Sequence, residues 1–91
     1  MVTILSFYKF KKINNLNKLK KLFVKKINSL SIKGLIILSP EGINGTLAGS
    51  LKNINSKKKI IISELNISKF DIQNITKSNF IPFLKTKIKI K

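Results

Sequence analysis

Three acidic residues, Glu41, Glu64 and Asp71, are the only carboxylate side chains in a chain that also carries 19 lysines. They fall on separate stretches, and no spacing pairs two of them for general acid–base work. Cysteine and histidine are both absent. Thiolate nucleophiles, disulfides, zinc sites built from Cys or His, and histidine bases are therefore excluded, and neither a metal nor a cofactor is expected. What remains with chemical character is the stretch from Ser39 to Gly49. It places Pro40, Glu41, Gly42 and Gly45 within six positions of a chain in which Lys, Ile and Asn make up 46 of 91 residues.

Glu41 offers a base or a cap for a ligand hydroxyl; without a partner carboxylate, a turn residue with no catalytic task is the better reading. Asn44 and Thr46 stand two apart and, on a strand, share a face. They present an amide and a hydroxyl to a ligand or neighbouring domain, or else satisfy backbone groups in their own hairpin. Gly42, Gly45 and Gly49 permit close approach of a phosphate backbone, or simply punctuate turns and strand ends. Their spacing matches neither G-x-G-x-x-G nor G-x-x-x-x-G-K-[ST], so no nucleotide fingerprint is present.

The net charge of +16 points to a polyanionic partner such as RNA. An AT-rich coding bias would also enrich Lys, Ile and Asn, and the absence of Arg removes the planar fork favoured at RNA contacts. The scarcity of acids is harder to assign to codons, since Glu and Asp codons lie one base from those of Lys and Asn. The best polyanion surface joins Lys85, Lys87 and Lys89 near the C-terminus to Lys9, Lys11 and Lys12 after the first apolar stretch. Phe7, Tyr8, Phe10, Phe80 and Phe83 lie nearby in sequence and can stack on unpaired bases or fill the core.

Elements must position these groups. Val2 to Tyr8 alternates as a strand, with Val2, Ile4, Ser6 and Tyr8 on one side. Leu16, Leu19, Phe23, Ile27 and Leu30 step by three and four, predicting an amphipathic helix from Asn15 to Leu30. Its lysines form a solvated outer face or a phosphate-facing stripe. Gly34 breaks the connection, and Leu35 to Leu38 reads as a strand buried on both faces. Ser39-Pro40-Glu41-Gly42 fits a type I turn, with Asn44-Gly45 as a rival hairpin turn. The first choice leaves Ile43 to Ala48 as a third strand. Ser50 is placed to N-cap a second helix, Leu51 to Leu65, whose apolar face holds Leu51, Ile54, Ile61 and Leu65 but also Lys58. Lys69 to Ile75 reads as a fourth strand and Lys77-Ser78-Asn79 as a loop. The tail carries Lys85, Lys87, Lys89 and Lys91 on one side, with Leu84, Thr86, Ile88 and Ile90 on the other. Edge lysines of this kind also block aggregation.

The order β-α-β-β-α-β is an α+β, ferredoxin-like arrangement with an added basic C-terminal strand. We expect one domain over residues 1–91, with a four-stranded antiparallel sheet and both helices on one face. The Leu19, Phe23 and Ile27 side of the first helix should pack on Ile4 and Ile37. No apolar run approaches the ~18 residues of a membrane span and the N-terminus is no signal peptide, so a soluble, cytoplasmic chain with no membrane partner is expected.

The run Glu41-Gly42-Ile43-Asn44-Gly45-Thr46 resembles the E-G-I-N-G-T motif of the rhodanese-domain tRNA uridine(34) hydroxylase family. The opening Ile4-Leu5-Ser6-Phe7-Tyr8-Lys9-Phe10 and the closing stretch from Pro82 to Lys91 are similar to that family in order and spacing. The resemblance implies the N-terminal, acylphosphatase-like domain of a longer protein, truncated or split from its rhodanese domain, and hence an accessory tRNA-binding role with no catalysis by the chain alone. A rhodanese domain in cis or trans is the implied partner. The other reading is a protein-interaction module, its Glu41–Thr46 hairpin and last strand docking onto a separate rhodanese domain. True acylphosphatases share the fold and end their first loop in a phosphate-binding arginine. Here Tyr8 to Lys12 has no glycine and the chain no Arg, so that activity is not expected.

Overall fold

Among the described residues, five strands and two helices follow one another as β1 (Val2–Phe10), α1 (Leu16–Lys26), β2 (Ile32–Ser39), β3 (Gly42–Gly49), α2 (Leu51–Leu65), β4 (Ile72–Ser78) and β5 (Thr86–Ile90). This computed structural model describes residues 2–28, 31–81, 83 and 85–91. The strands form one sheet in the order β4-β1-β3-β2-β5. The first four pair antiparallel, as expected for the ferredoxin-like unit, and β5 adds to the β2 edge in parallel.

Both helices lie on one face of the sheet, and the core forms there. Leu5, Ile36, Leu47, Phe23, Ile27, Ile54 and Ile61 are all buried. The expected docking of α1 on Ile4 and Ile37 is corrected by one residue: Leu5 and Ile36 point to the helices, while Ile4 and Ile37 are half-buried on the other face. A one-residue slip exchanges every side chain between faces. In the uninterrupted run Leu35-Ile36-Ile37-Leu38 the apolar pattern does not choose between them. The strand is likewise not buried on both faces, because no helix covers the second.

Asn15 caps α1, its Oδ1 accepting from the Lys18 N–H at 3.1 Å. The helix ends at Lys26, with Ile27 as its C-cap, short of the expected Leu30, which lies outside the described residues. Lys25 and Lys26 sit in the last turn, where the helix dipole favours cations. Ser50 caps α2 as expected, accepting from the Asn53 N–H at 3.2 Å. Leu51, at the start of that helix, is exposed rather than packed, and Lys58 is half-buried.

Gly34 is not a connector but lies inside β2, paired with Leu47 and Thr86. Its φ is +152°, and a Cβ there would stand 2.0 Å from the Thr46 carbonyl oxygen, so only glycine fits. The fourth strand begins at Ile72 and runs through Lys77 and Ser78, which were expected in a loop. Phe70 is thereby released from the strand and stacks on Phe7, ring centroids 4.5 Å apart, within the core. β4 is an edge strand with mostly exposed side chains.

Candidate nucleic-acid interface

The helix-free face of the sheet gathers polar, aromatic and basic side chains in cross-strand rows. One row reads Ile72, Tyr8, Asn44, Ile37 and Lys89, from β4 to β5. The next reads Asn74, Ser6, Thr46, Leu35 and Lys87. Directly opposed residues in a sheet share a face, so these ten side chains project together. Asn44 and Thr46 thus belong to the open face, away from the helices. Ser6 Oγ and Thr46 Oγ1 lie 3.4 Å apart. Ser6, Tyr8, Asn44, Thr46, Ile72 and Asn74 line a shallow cavity of about 410 Å³.

At the β5 edge, Lys85, Lys87, Lys89 and Lys91 are exposed and alternate with the buried Ile88 and the half-buried Thr86 and Ile90. Leu84, expected on the apolar side, is outside the described residues. Thr86 anchors the strand by donating from Oγ1 to the Ile32 carbonyl at 2.6 Å. None of the three carboxylates lies on a strand: Glu41 is in the β2–β3 turn, Glu64 in α2 and Asp71 just before β4. The strand residues of the sheet therefore carry positive charge alone.

The structure does not bring the two expected lysine groups into one track. Lys9 is on the helix side of β1 and pairs with Asp71, Nζ to Oδ1 at 3.1 Å. Asp71 also accepts from the Phe10 N–H at 2.7 Å. That backbone donor first, and the Lys9 ammonium second, hold the Asp71 carboxyl below its usual value of 3.8. Lys11 and Lys12 follow β1 and line a separate cavity of about 350 Å³ with Asn14, Lys18 and Leu22 of the α1 region and Glu64 of α2. Glu64 is itself paired with Lys26 at 2.7 Å.

The Pro40-Glu41 turn joins Ser39 to Gly42, which are paired residues. Neither turn residue has positive φ, whereas Gly42 does at +153°. The rival type I′ turn at Asn44-Gly45 is excluded, because both residues are paired inside β3 and neither has the positive φ that such a turn needs at both central residues. The Glu41 side chain is exposed and its carbonyl accepts from the Lys11 N–H at 3.0 Å. Gly45 faces the core, where a Cβ would stand 2.8 Å from the Phe7 ring. Its place in the motif thus makes room for packing. No group of three His, Cys, Asp or Glu able to hold a metal occurs among the described residues. No helix among them is long and apolar enough to cross a membrane.

Ser6, Ile72 and Asn74 are the open-face residues not singled out from sequence, whereas Tyr8 and Phe10 were named there as able to stack on bases. The signal for Ser6 was present in the alternation of β1, which puts it on one side with Tyr8. The aromatics divide: Phe7 is core, Tyr8 and Phe10 lie on the open face with ring centroids 4.6 Å apart, and Phe10 and Phe80 are exposed.

Strand order, a helix pair on one face and a parallel fifth strand define an acylphosphatase-like member of the ferredoxin-like class. The fold is similar to an acylphosphatase from Coxiella burnetii (TM-score 0.67, 10% identity, covering 96% of this chain and 92% of that one). It is also similar to the BLUF protein BlrB in its dark state (TM-score 0.73, 9% identity, 98% and 71% covered). The chain belongs to the UPF0176 acylphosphatase-like domain family, whose pattern matches residues 2–91. Its relatives include a tRNA uridine(34) hydroxylase of Pelagibacter ubique (strain HTCC1062), 43% identical over 91 residues, all of this chain and 30% of that protein. A protein of the same name from Legionella pneumophila (strain Paris) is 33% identical over 99% of this chain and 35% of its own length. The chain thus spans about a third of the curated relatives it matches.

Proposed function

We propose that this domain holds tRNA for a wobble-uridine hydroxylase and is not catalytic by itself. A rhodanese domain, in cis or in trans, carries the reaction in the cytoplasm. The observation that carries this reading is the acid-free sheet face whose β5 edge exposes Lys85, Lys87 and Lys89. Family membership and the name of the relatives supply the RNA class. Lysines along a strand are spaced to follow a phosphate backbone, and each contact releases counterions.

The test is tRNA binding against salt concentration. Replacing Lys85, Lys87 and Lys89 together with Gln should weaken binding and reduce the slope of log K against log salt by about 0.7–0.9 per lost contact. Replacing Lys20, Lys21 and Lys25 on the outer surface of α1 should do much less. Equal losses from the two triples would mean that net charge alone governs binding, and the proposal would fail.

A second reading, docking onto a rhodanese domain, is favoured by Phe80 and Ile81, which are exposed in the segment before β5. Phe80→Ser would then abolish co-purification with that domain while leaving tRNA binding intact.

A further inference from the structure

We propose that Tyr8 and Phe10, with Asn44, Thr46 and Asn74 beside them, form a seat for an unpaired nucleobase of single-stranded RNA. This rests on the reading of the domain as RNA-binding and specifies which part of the RNA meets the open face. Tyr8 is half-buried in β1, between β4 and β3, so its ring is held by the strands on either side. Phe10 contacts it at 4.6 Å and is 61% exposed. Opposite Phe10 on β3 stands Gly42, which puts no side chain across that ring. The Phe10 ring is thus open to solvent, with the half-buried Tyr8 ring beside it.

Hydrogen-bonding groups surround these rings. Asn44 is opposite Tyr8, and Thr46 and Asn74 flank Ser6 in the adjacent row. Among the described residues no hydrogen bond engages the Asn44 or Asn74 amide. Each amide offers both donors and an acceptor, as the edge of a base requires. The cavity of about 410 Å³ falls within the usual range of small-ligand sites, roughly 300–1,000 Å³.

Charge then selects the occupant. Lys89 ends the row that contains Tyr8, three strand spacings away, and Lys87 ends the next. At about 4.8 Å per strand the separation is roughly 14 Å, a gap that a flexible single strand can bridge between a stacked base and a neighbouring phosphate. An acidic peptide would use the lysines but leave the rings and amides idle. A duplex presents no unstacked base. A single strand of nucleic acid uses all three groups, in the manner of sheet surfaces whose aromatics stack bases, and the proposed function makes that strand RNA.

Tyr8 is the sole tyrosine and the chain has no tryptophan, so tyrosine emission reports on the seat directly. The experiment titrates this chain at low salt with a labelled short oligouridylate, which does not self-pair, and with a duplex RNA of equal length. RNA anisotropy and tyrosine emission are followed together, the latter corrected for RNA absorbance with a free tyrosine amide. Quenching by the single strand in step with the anisotropy rise is expected, with none from the duplex. Tyr8→Ala should weaken single-strand binding about tenfold without changing its salt slope, and Tyr8→Phe should bind as the parent does. Salt-dependent binding of the single strand with unquenched Tyr8 overturns the seat and leaves the RNA-binding reading standing. Absence of binding by either RNA overturns both. If Tyr8→Ala does not fold, quenching in the parent and the affinity of Tyr8→Phe decide the matter.

Discussion

The two faces of the sheet come from the same strands but obey different rules of composition. On the helix side, Leu5, Phe7, Ile36 and Leu47 are buried under α1 and α2, and any polar atom there would need a partner. The open side alternates apolar, amide, hydroxyl and ammonium groups: Ile37 beside Asn44, Leu35 beside Thr46, with Lys87 and Lys89 at the margin. Of its apolar members, Ile4, Leu35 and Ile37 remain half-buried because no helix covers them, and Ile72 on the β4 edge is exposed. The contrast separates two tasks. One face supplies the stability of the domain, and the other, on the reading proposed above, is left free to meet RNA.

Substitutions can break that division. The largest effect is expected at Phe23, which is fully buried on α1. Phe23→Ala should cost about 3–5 kcal/mol, a large share of a small domain's stability, on the order of 5–10 kcal/mol. Denaturant unfolding measures it, and a parental midpoint would show that the helix side is not the stabilising face.

Gly34→Ala should cost about 1–3 kcal/mol, because alanine is strained at its φ of +152° and its Cβ meets the Thr46 carbonyl. The loss should appear in the same unfolding experiment. An unchanged midpoint would mean that β2 and β3 pair differently near this residue, and the rows of the open face would have to be redrawn.

Asp71 ties the end of β1 to the start of β4 and supplies a smaller, pH-dependent contribution. Its carboxyl is held below 3.8 in the folded chain, chiefly by the Phe10 N–H and then by Lys9. The stability it adds is therefore complete above that value and lost as pH falls through the lower, folded one. Thermal melts of the parent and Asp71→Asn should differ near neutral pH and converge below 3.8. A gap that persists in acid would assign the difference to something other than this ionisation.

The smallest effect on stability belongs to the open face. The Lys85, Lys87 and Lys89 to Gln triple should melt within about 0.5 kcal/mol of the parent, as exposed substitutions away from packed features do. A larger loss would show that β5 lysines support the fold, and reduced RNA binding by that variant would then say nothing about a surface.

Local signals carried much of the architecture. The three- and four-residue stepping of Leu16, Leu19 and Phe23 announced α1, Ser50 announced the start of α2, and Pro40 with Gly42 announced the hairpin. Alternating lysines announced a one-sided last strand. The boundaries of β4 were not legible, because Phe70 looks like a strand residue until Phe7 is there to stack on it. Nor did the sequence show that Lys9 would be engaged by Asp71, 62 positions away.

The chain by itself determined element order, helix amphipathicity, caps, the turn and an excess of positive charge, since each depends on neighbours a few residues apart. Tertiary structure alone decided which side of each strand is buried and which distant residues share a row. Tyr8, Asn44 and Lys89 meet on one line only because β1, β3, β2 and β5 pair in this register. That register is fixed by long-range contacts, among them the close approach of Thr46 to Gly34 and the room that Gly45 leaves for Phe7. A period of two leaves both faces of Leu35-Ile36-Ile37-Leu38 equally apolar, so only the helices packed on one of them settle the choice.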